Sequence, residues 1–290
     1  MNVWWIGSLL VGSVPIHALA EETGGSTGEV RSKAEQRRAE KALKENAVLE
    51  FKKVTKLQDE AFELTNQLRF AEAEKLWTEI IALNTSNAAA YSNRGNCRTS
   101  QRRFDEAIAD FRAAIALSPD EPDPFLGLGV ALEGKRDFPA AIRAYEQSNA
   151  LSRRRFGTDD PAAINNIGNA HAGRGEWDLA LANYKRAAML DKNFVFALAN
   201  EALAYAQLGE DQIAVRTMKF LVRKYPYFPD MHAALAALYW ETGDYSSAED
   251  EFLLATGQDY RYRDLEWIAS IRRFPPRIVR DLENLRNLRK

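Results

Sequence analysis

The feature that most constrains this chain is a sequence unit that returns about every 34 residues. Asn165 to Lys192 pairs two short helical patterns across a turn, with Gly168, His171, Gly175, Trp177, Ala180, Tyr184 and Ala187 at fixed offsets. The pattern returns upstream as Phe104, Ala107, Phe111, Ala114 and Pro119, and downstream as Gly209, Ala214, Met218, Leu221 and Pro226. A unit of this length cannot bury its apolar face alone, so it stacks on its neighbours into a quasi-one-dimensional array. The period predicts an all-α chain, and counting domains from the length of 290 residues loses its meaning.

The alanine before each second-helix aromatic marks the register: Ala73, Ala107, Ala141, Ala180, Ala214 and Ala248. These marks predict six units, near 54–87, 88–121, 122–155, 161–194, 195–228 and 229–262. Small residues fall at the matching first-helix position, namely Ala61, Gly95, Gly129, Gly168, Ala202 and Ala236. Large ones stand four residues after each mark: Trp77, Phe111, Tyr145, Tyr184, Met218 and Phe252. Large facing small across a close helix crossing is interlocking packing, so the aromatic stripe is read as core and not as a cofactor box.

The ends of the chain are read differently. Residues 1–20 carry an apolar run ending in Ala18-Leu19-Ala20, which predicts a cleavable signal or lumen-targeting segment with the mature chain starting at Glu21. The run is shorter than the roughly 20 residues of a permanent span. Residues 21–30 read as a polar linker, and 31–53 as a charged, solvated lead-in helix with i,i+4 partners. Five extra residues separate the third and fourth units, and they predict a longer second helix ending at Arg153, Arg154 and Arg155, with Asp160 as N-cap and Pro161 at the next helix's first position. Residues 263–290 predict capping helices that cover the last unit's open edge, one carrying Leu265, Ile268 and Ile271 and the next Ile278, Leu282, Leu285 and Leu288.

Charge and chemistry exclude several functions. Lys plus Arg number 39 against 41 Asp plus Glu, a net charge of −2, and a nucleic-acid-binding domain is usually clearly basic. No nucleic-acid partner is expected. Locally, Arg261 to Lys290 carries nine basic residues against four acidic ones. Arg153, Arg154, Arg155, Arg272 and Arg273 are therefore candidates for a basic surface facing an acidic protein or making a peripheral membrane contact. The single Cys97 can close no intrachain disulfide, and no metal or cofactor is expected. Beyond the leader only His171 and His232 occur, at positions normally filled by core side chains, and no HExxH, P-loop or GxSxG motif is present. Catalysis is not expected, and no catalytic residue is assigned.

The repeated residues resemble the tetratricopeptide (TPR) pattern, and the resemblance covers about two thirds of the chain. It implies a TPR-type helical solenoid of about six helix-turn-helix repeats with a C-terminal helical cap. The junction at Arg153 to Pro161 resembles the longer repeats of kinesin light chains. More narrowly, Ala18-Leu19-Ala20 together with Glu266-Trp267-Ile268 and Arg272-Arg273-Phe274-Pro275-Pro276 is similar to the plant and algal TPR proteins of the thylakoid lumen common family. That likeness implies a chloroplast thylakoid lumen location and a part in assembling or maintaining a photosynthetic complex. A bacterial periplasmic or secreted adaptor is the alternative.

In TPR folds the first helices face a concave groove that holds an extended segment of another protein. Asn93, Asn166 and Asn200 recur at one first-helix position, Asn96 and Asn169 follow three residues later, and Asn165 sits beside them. Each amide offers a donor and an acceptor, the pair a peptide backbone needs. Removing Asn166 and Asn200 together is expected to weaken partner binding while leaving stability nearly unchanged. A co-chaperone that grips acidic C-terminal tails would need Lys or Arg beside these asparagines, where Asn165, Asp230 and Ala234 stand instead.

Overall fold

The computed structural model describes residues 33–287. The segments read as leader and linker, and the last three residues of the cap, lie outside them. Six helix pairs follow one another: α1 (Lys33–Asn66) with α2 (Phe70–Leu83), α3 (Ala88–Ser100) with α4 (Phe104–Leu117), and α5 (Pro122–Gly134) with α6 (Phe138–Phe156). Then come α7 (Pro161–Gly173) with α8 (Trp177–Leu190), α9 (Val195–Gln207) with α10 (Asp211–Lys224), and α11 (Pro229–Glu241) with α12 (Tyr245–Gln258). A 3-10 turn at Tyr260–Arg263, the short α13 (Leu265–Ser270) and α14 (Pro276–Asn287) end the chain. The fold is all-α, with no strand among the described residues. We call the odd-numbered helices of the six pairs A and the even-numbered ones B.

Each pair closes on the size complementarity seen in the sequence. All six register alanines are fully buried, and Trp77, Phe111, Tyr145, Tyr184, Met218 and Phe252 are at most 5% exposed. A Cβ on Gly129 would stand 2.4 Å from Tyr145 Cε1, and one on Gly95 would stand 2.9 Å from Phe111 Cε1. Only a residue without a side chain lets these helices cross so closely. Prolines open α5, α7, α11 and α14, where the missing N–H is an unpaired donor in any case. Asp137, Asp160 and Asp244 cap their helices by accepting a backbone N–H.

The turn inside each pair needs one left-handed residue. Gly175, Gly209 and Gly243 supply it in the last three pairs, but Leu68, Arg102 and Arg136 hold the same place with φ of 63°, 62° and 64°. Side chains resist this conformation, and here the two arginines recover part of the cost by lying over Phe104 and Phe138 at 5.6 and 5.5 Å.

The chain divides into two compact units between Pro119 and Asp120. In the N-terminal unit, α1 is a single helix of 34 residues that shows no break where the sequence separates a lead-in from the first repeat. The 14-residue α2 covers only its second half, where Val54, Leu57 and Phe62 pack with Trp77. Ahead of that contact Leu43, Val48, Leu49 and Phe51 are exposed.

In the C-terminal unit, α6 runs on for 19 residues to a left-handed Gly157. Its largest core joins α9 to α14: Met231, Leu235 and Leu238 of α11 are buried with Ile268, Phe274, Ile278, Leu282 and Leu285 of the C-terminal segment. The position of α14 differs from that of a simple end cap. It packs on α11 and on α9, so it lies across A helices of two successive pairs. An amphipathic pattern specifies that a helix has an apolar face but not which neighbour it finds.

Candidate functional site

Four asparagines meet on α7 and α9. Asn200 Nδ2 donates to Asn165 Oδ1 at 3.0 Å and to Asn169 Oδ1 at 3.2 Å. Asn169 Nδ2 and Asn165 Nδ2 donate to Asn166 Oδ1 at 3.3 and 3.4 Å. The Tyr184 hydroxyl, from the adjoining B helix, donates to Asn169 Oδ1 at 3.0 Å. Asn165 and Asn200 are buried, at 3% and 6% exposure, whereas Asn166 and Asn169 are half-buried. Among the described residues these bonds leave Asn166 Nδ2 and Asn200 Oδ1 without a protein partner. The cluster therefore keeps one amide nitrogen, that of Asn166, and one amide oxygen, that of Asn200, outside its internal bonds. Asn93 and Asn96 are half-buried on α3, in the N-terminal unit. On the same helix Arg94 and Arg98 hold the buried Asp110 at 2.7 and 2.8 Å.

The C-terminal segment supplies the second part of the site, and it removes Arg272 from the expected basic surface. Arg272 is no surface residue: its side chain is 6% exposed and paired with Asp230 of α11, which also accepts from the Tyr262 hydroxyl. Arg273 pairs with Glu133 of α5, whose other oxygen accepts from the Tyr145 hydroxyl at 2.8 Å. Burial pushes the Glu133 carboxyl above the usual glutamate range, opposed by the charge of Arg273 and the hydrogen bond from Tyr145. Arg277, at the start of α14, reaches Asp211 at 2.6 Å and also meets Glu241 and the Ala206 carbonyl. The segment is thus clipped to α5, α9 and α11 by charge-assisted bonds as well as by its apolar face.

The other arginines are also engaged within the fold. Arg153 pairs with Asp159, which binds Arg186 and Asn149 too, while Arg154 meets Asp120 at 2.5 Å and Arg155 meets Glu121. Asp159 feels burial pushing its pKa up, yet the hydrogen bonds from Arg153, Arg186 and Asn149 outweigh it and hold the carboxyl low. These pairs tie the five-residue insertion to the helices beside it.

His171 lies 2.7 Å from Glu176 and His232 lies 2.5 Å from Glu251, each a local pair rather than part of a converging set. Cys97 is buried, and burial pushes its thiol up to about 12, far from a reactive thiolate. Among the described residues no three His, Cys, Asp or Glu gather as a metal cage, and no helix is long and apolar enough to cross a membrane.

Sequence reasoning missed Glu133, Tyr145, Asp230 and Tyr262 as site residues. Tyr145 carried only a core signal, and Glu133 carried none. Arg273 and Glu133 are 140 positions apart, a separation that no repeat offset encodes.

Comparison with known proteins agrees with this architecture. The family model "Tetratricopeptide repeat" matches residues 88–121, and a second model of the same description matches 199–260. The fold is similar to that of the APC/C hetero-tetramer Cut9–Hcn1, with a TM-score of 0.64 and 16% identity. That match covers 71% of this chain but 40% of the other. It is also similar to pilF of Pseudomonas aeruginosa, with a TM-score of 0.59, 12% identity, and 75% and 98% of the two chains covered. A thermophilic TPR protein of Thermus thermophilus gives a TM-score of 0.56 at 15% identity, over 64% and 98%. At such identities the likeness is one of fold. No curated protein matches the sequence. The repeat models at 88–121 and 199–260, together with the six helix pairs and their small-against-large crossings, identify tetratricopeptide repeats in this chain, a kind of repeat that typically serves protein–protein interaction.

Proposed function

We propose that the C-terminal unit holds an extended segment of another protein against the asparagine cluster of α7 and α9. The observation that carries this reading is the donor on Asn166 and the acceptor on Asn200 that remain after the cluster's internal bonds are made. A peptide backbone needs that pair and brings it whatever its side chains, so the site selects an extended chain before it selects a sequence. Asn166→Ala tests it: partner binding should weaken by roughly 1 kcal/mol per lost hydrogen bond. Unchanged affinity in a folded variant would remove the asparagines from the interface.

We also propose that the partner belongs to a photosynthetic membrane complex and that the protein works on the lumenal side of the thylakoid. Two stretches of sequence support this: the apolar run and Ala18-Leu19-Ala20, which read as a leader, and the Glu266 to Pro276 segment, which resembles that of the lumen family. Cleavage then yields a mature chain from Glu21, which N-terminal sequencing of natively isolated protein checks; an intact Met1 would sink the export reading. A periplasmic or secreted adaptor shares the leader and predicts the same cleavage, and cell fractionation separates the two.

A further inference from the structure

Glu133 ends the α5 A helix as a buried carboxylate with two partners, the Tyr145 hydroxyl and the guanidinium of Arg273. Arg273 differs from the residues on either side of it. Arg272 and Phe274 are anchored, with 6% and 5% exposure, and Pro275 is buried, whereas the Arg273 side chain is 40% exposed. Its backbone is left-handed, with φ of 55°, and unlike Leu68, Arg102 and Arg136 it stands outside the turns of the repeats. Non-glycine residues hold that conformation only where their surroundings impose it, and such positions gather at ligand clamps and switches. Arg273 can therefore swing out while its neighbours keep the segment in place.

The receptor adjoins α7, the helix that carries three of the asparagines: Tyr145 packs in one cluster with Ala170, the neighbour of Asn169, whose Oδ1 accepts from the Tyr184 hydroxyl. We infer that Glu133 with Tyr145 is a guanidinium receptor, filled in the free protein by Arg273, and that the partner segment lying on the asparagines places an arginine of its own there. This rests on the reading that the cluster holds a peptide. A buried carboxylate stripped of its cation is strongly unfavourable, so Arg273 leaves by exchange and not by simple release. Exchange returns the Arg273 side chain to water. Arginine suits the place better than lysine, because the Glu133 side chain and main-chain carbonyl both lie within reach of one planar fork.

The test is a fluorescence-anisotropy titration with the capped hexapeptide Ile-Arg-Arg-Phe-Pro-Pro, and with its twin carrying citrulline, uncharged and of the same shape, as the third residue. The full chain, Arg273→Ala and the double variant Arg273→Ala with Glu133→Gln are compared. Arg273→Ala should bind the arginine peptide at least tenfold more tightly than the unaltered chain, and both the citrulline twin and the double variant should lose that gain. Equal affinity for the unaltered chain and Arg273→Ala, or equal binding of the two peptides, overturns the inference. Should circular dichroism show Arg273→Ala unfolded, Arg273→Lys decides: it should bind the peptide more tightly than the unaltered chain, and no gain counts against exchange. Asn166→Ala is titrated alongside. Loss of affinity there, with the double variant binding as tightly as Arg273→Ala, keeps the peptide-holding cluster and overturns the arginine exchange; the reverse pattern keeps the receptor and overturns the asparagine reading.

Discussion

A Cβ placed on Gly168 would stand 2.6 Å from Tyr184 Cε1, closer than two carbons can approach without something moving. The Tyr184 ring has no room to give, since the residue is only 4% exposed and its hydroxyl is bonded to Asn169. Gly168→Leu should therefore overpack the α7–α8 crossing and cost about 1–3 kcal/mol, read as a lower midpoint in urea. The same change at Gly157, where nothing lies within 4 Å, meets a backbone problem but no clash. An unchanged midpoint for Gly168→Leu would place the helix crossing elsewhere.

The asparagines are not equivalent. Asn200 is buried and donates to two others, so Asn200→Ala strands Asn165 Oδ1 and should cost about 1–3 kcal/mol in stability. This prediction runs against the expectation that removing Asn166 and Asn200 together leaves stability nearly unchanged. Half-buried Asn166 mainly accepts, and Asn166→Ala should lower the melting temperature less than Asn200→Ala does. The reverse order in a thermal scan would contradict the hydrogen-bond pattern.

The C-terminal segment is part of the core of its unit. Ile278 and Leu282 are fully buried and Leu285 is 1% exposed, against A helices. Leu282→Ala should cost about 2–5 kcal/mol, as large-to-small changes in packed cores do. Ending the chain after Tyr262 should uncover Met231, Leu235 and Leu238 and drive aggregation, visible by light scattering. A truncated chain that stays monomeric and equally stable would make the segment a detachable arm.

Stability should depend on pH through Glu133, which faces Tyr145 of α6, Arg273 of the C-terminal segment and the charge-coupled Tyr184 of α8. Burial raises its folded-state pKa above the ordinary value of 4.5, against the pull of Arg273 and Tyr145. The folded chain then holds that proton more tightly than the unfolded one, so ionising Glu133 lowers stability as pH rises from 4.5 through the folded value. Glu133→Gln removes this loss, and its stability relative to the parent should increase over that window in urea titrations. A relative stability that falls with rising pH would show that the pair with Arg273 outweighs burial.

The repeat itself was legible because it is local: Gly168 and Tyr184 are 16 positions apart, and every repeat restates their relation. The turns were half legible. Gly175 announces a left-handed residue, but Arg136 in the same place does not, since its stacking on Phe138 appears only once the backbone is built. The asparagines announced a shared face. Their mutual bonding depends on how far α9 is rotated against α7, which side-chain type does not specify. Arg272 and Arg273 read as a basic surface because net charge is a sum over sequence. The carboxylates that meet them, Asp230 and Glu133, come from helices that only the folded segment brings near.

The proposed function requires partners to dock on the A-helix face at α7 and α9. A photoreactive benzoylphenylalanine in place of Asn166 is the test, with the same residue in place of the exposed Lys219 on α10 as a B-helix control. Irradiation in extracts of the native compartment should join position 166, and not 219, to one other polypeptide, and mass spectrometry should place the join in an extended segment of it. Crosslinks from 219 with none from 166 would put the partner on the B-helix side and rule out docking at the asparagines.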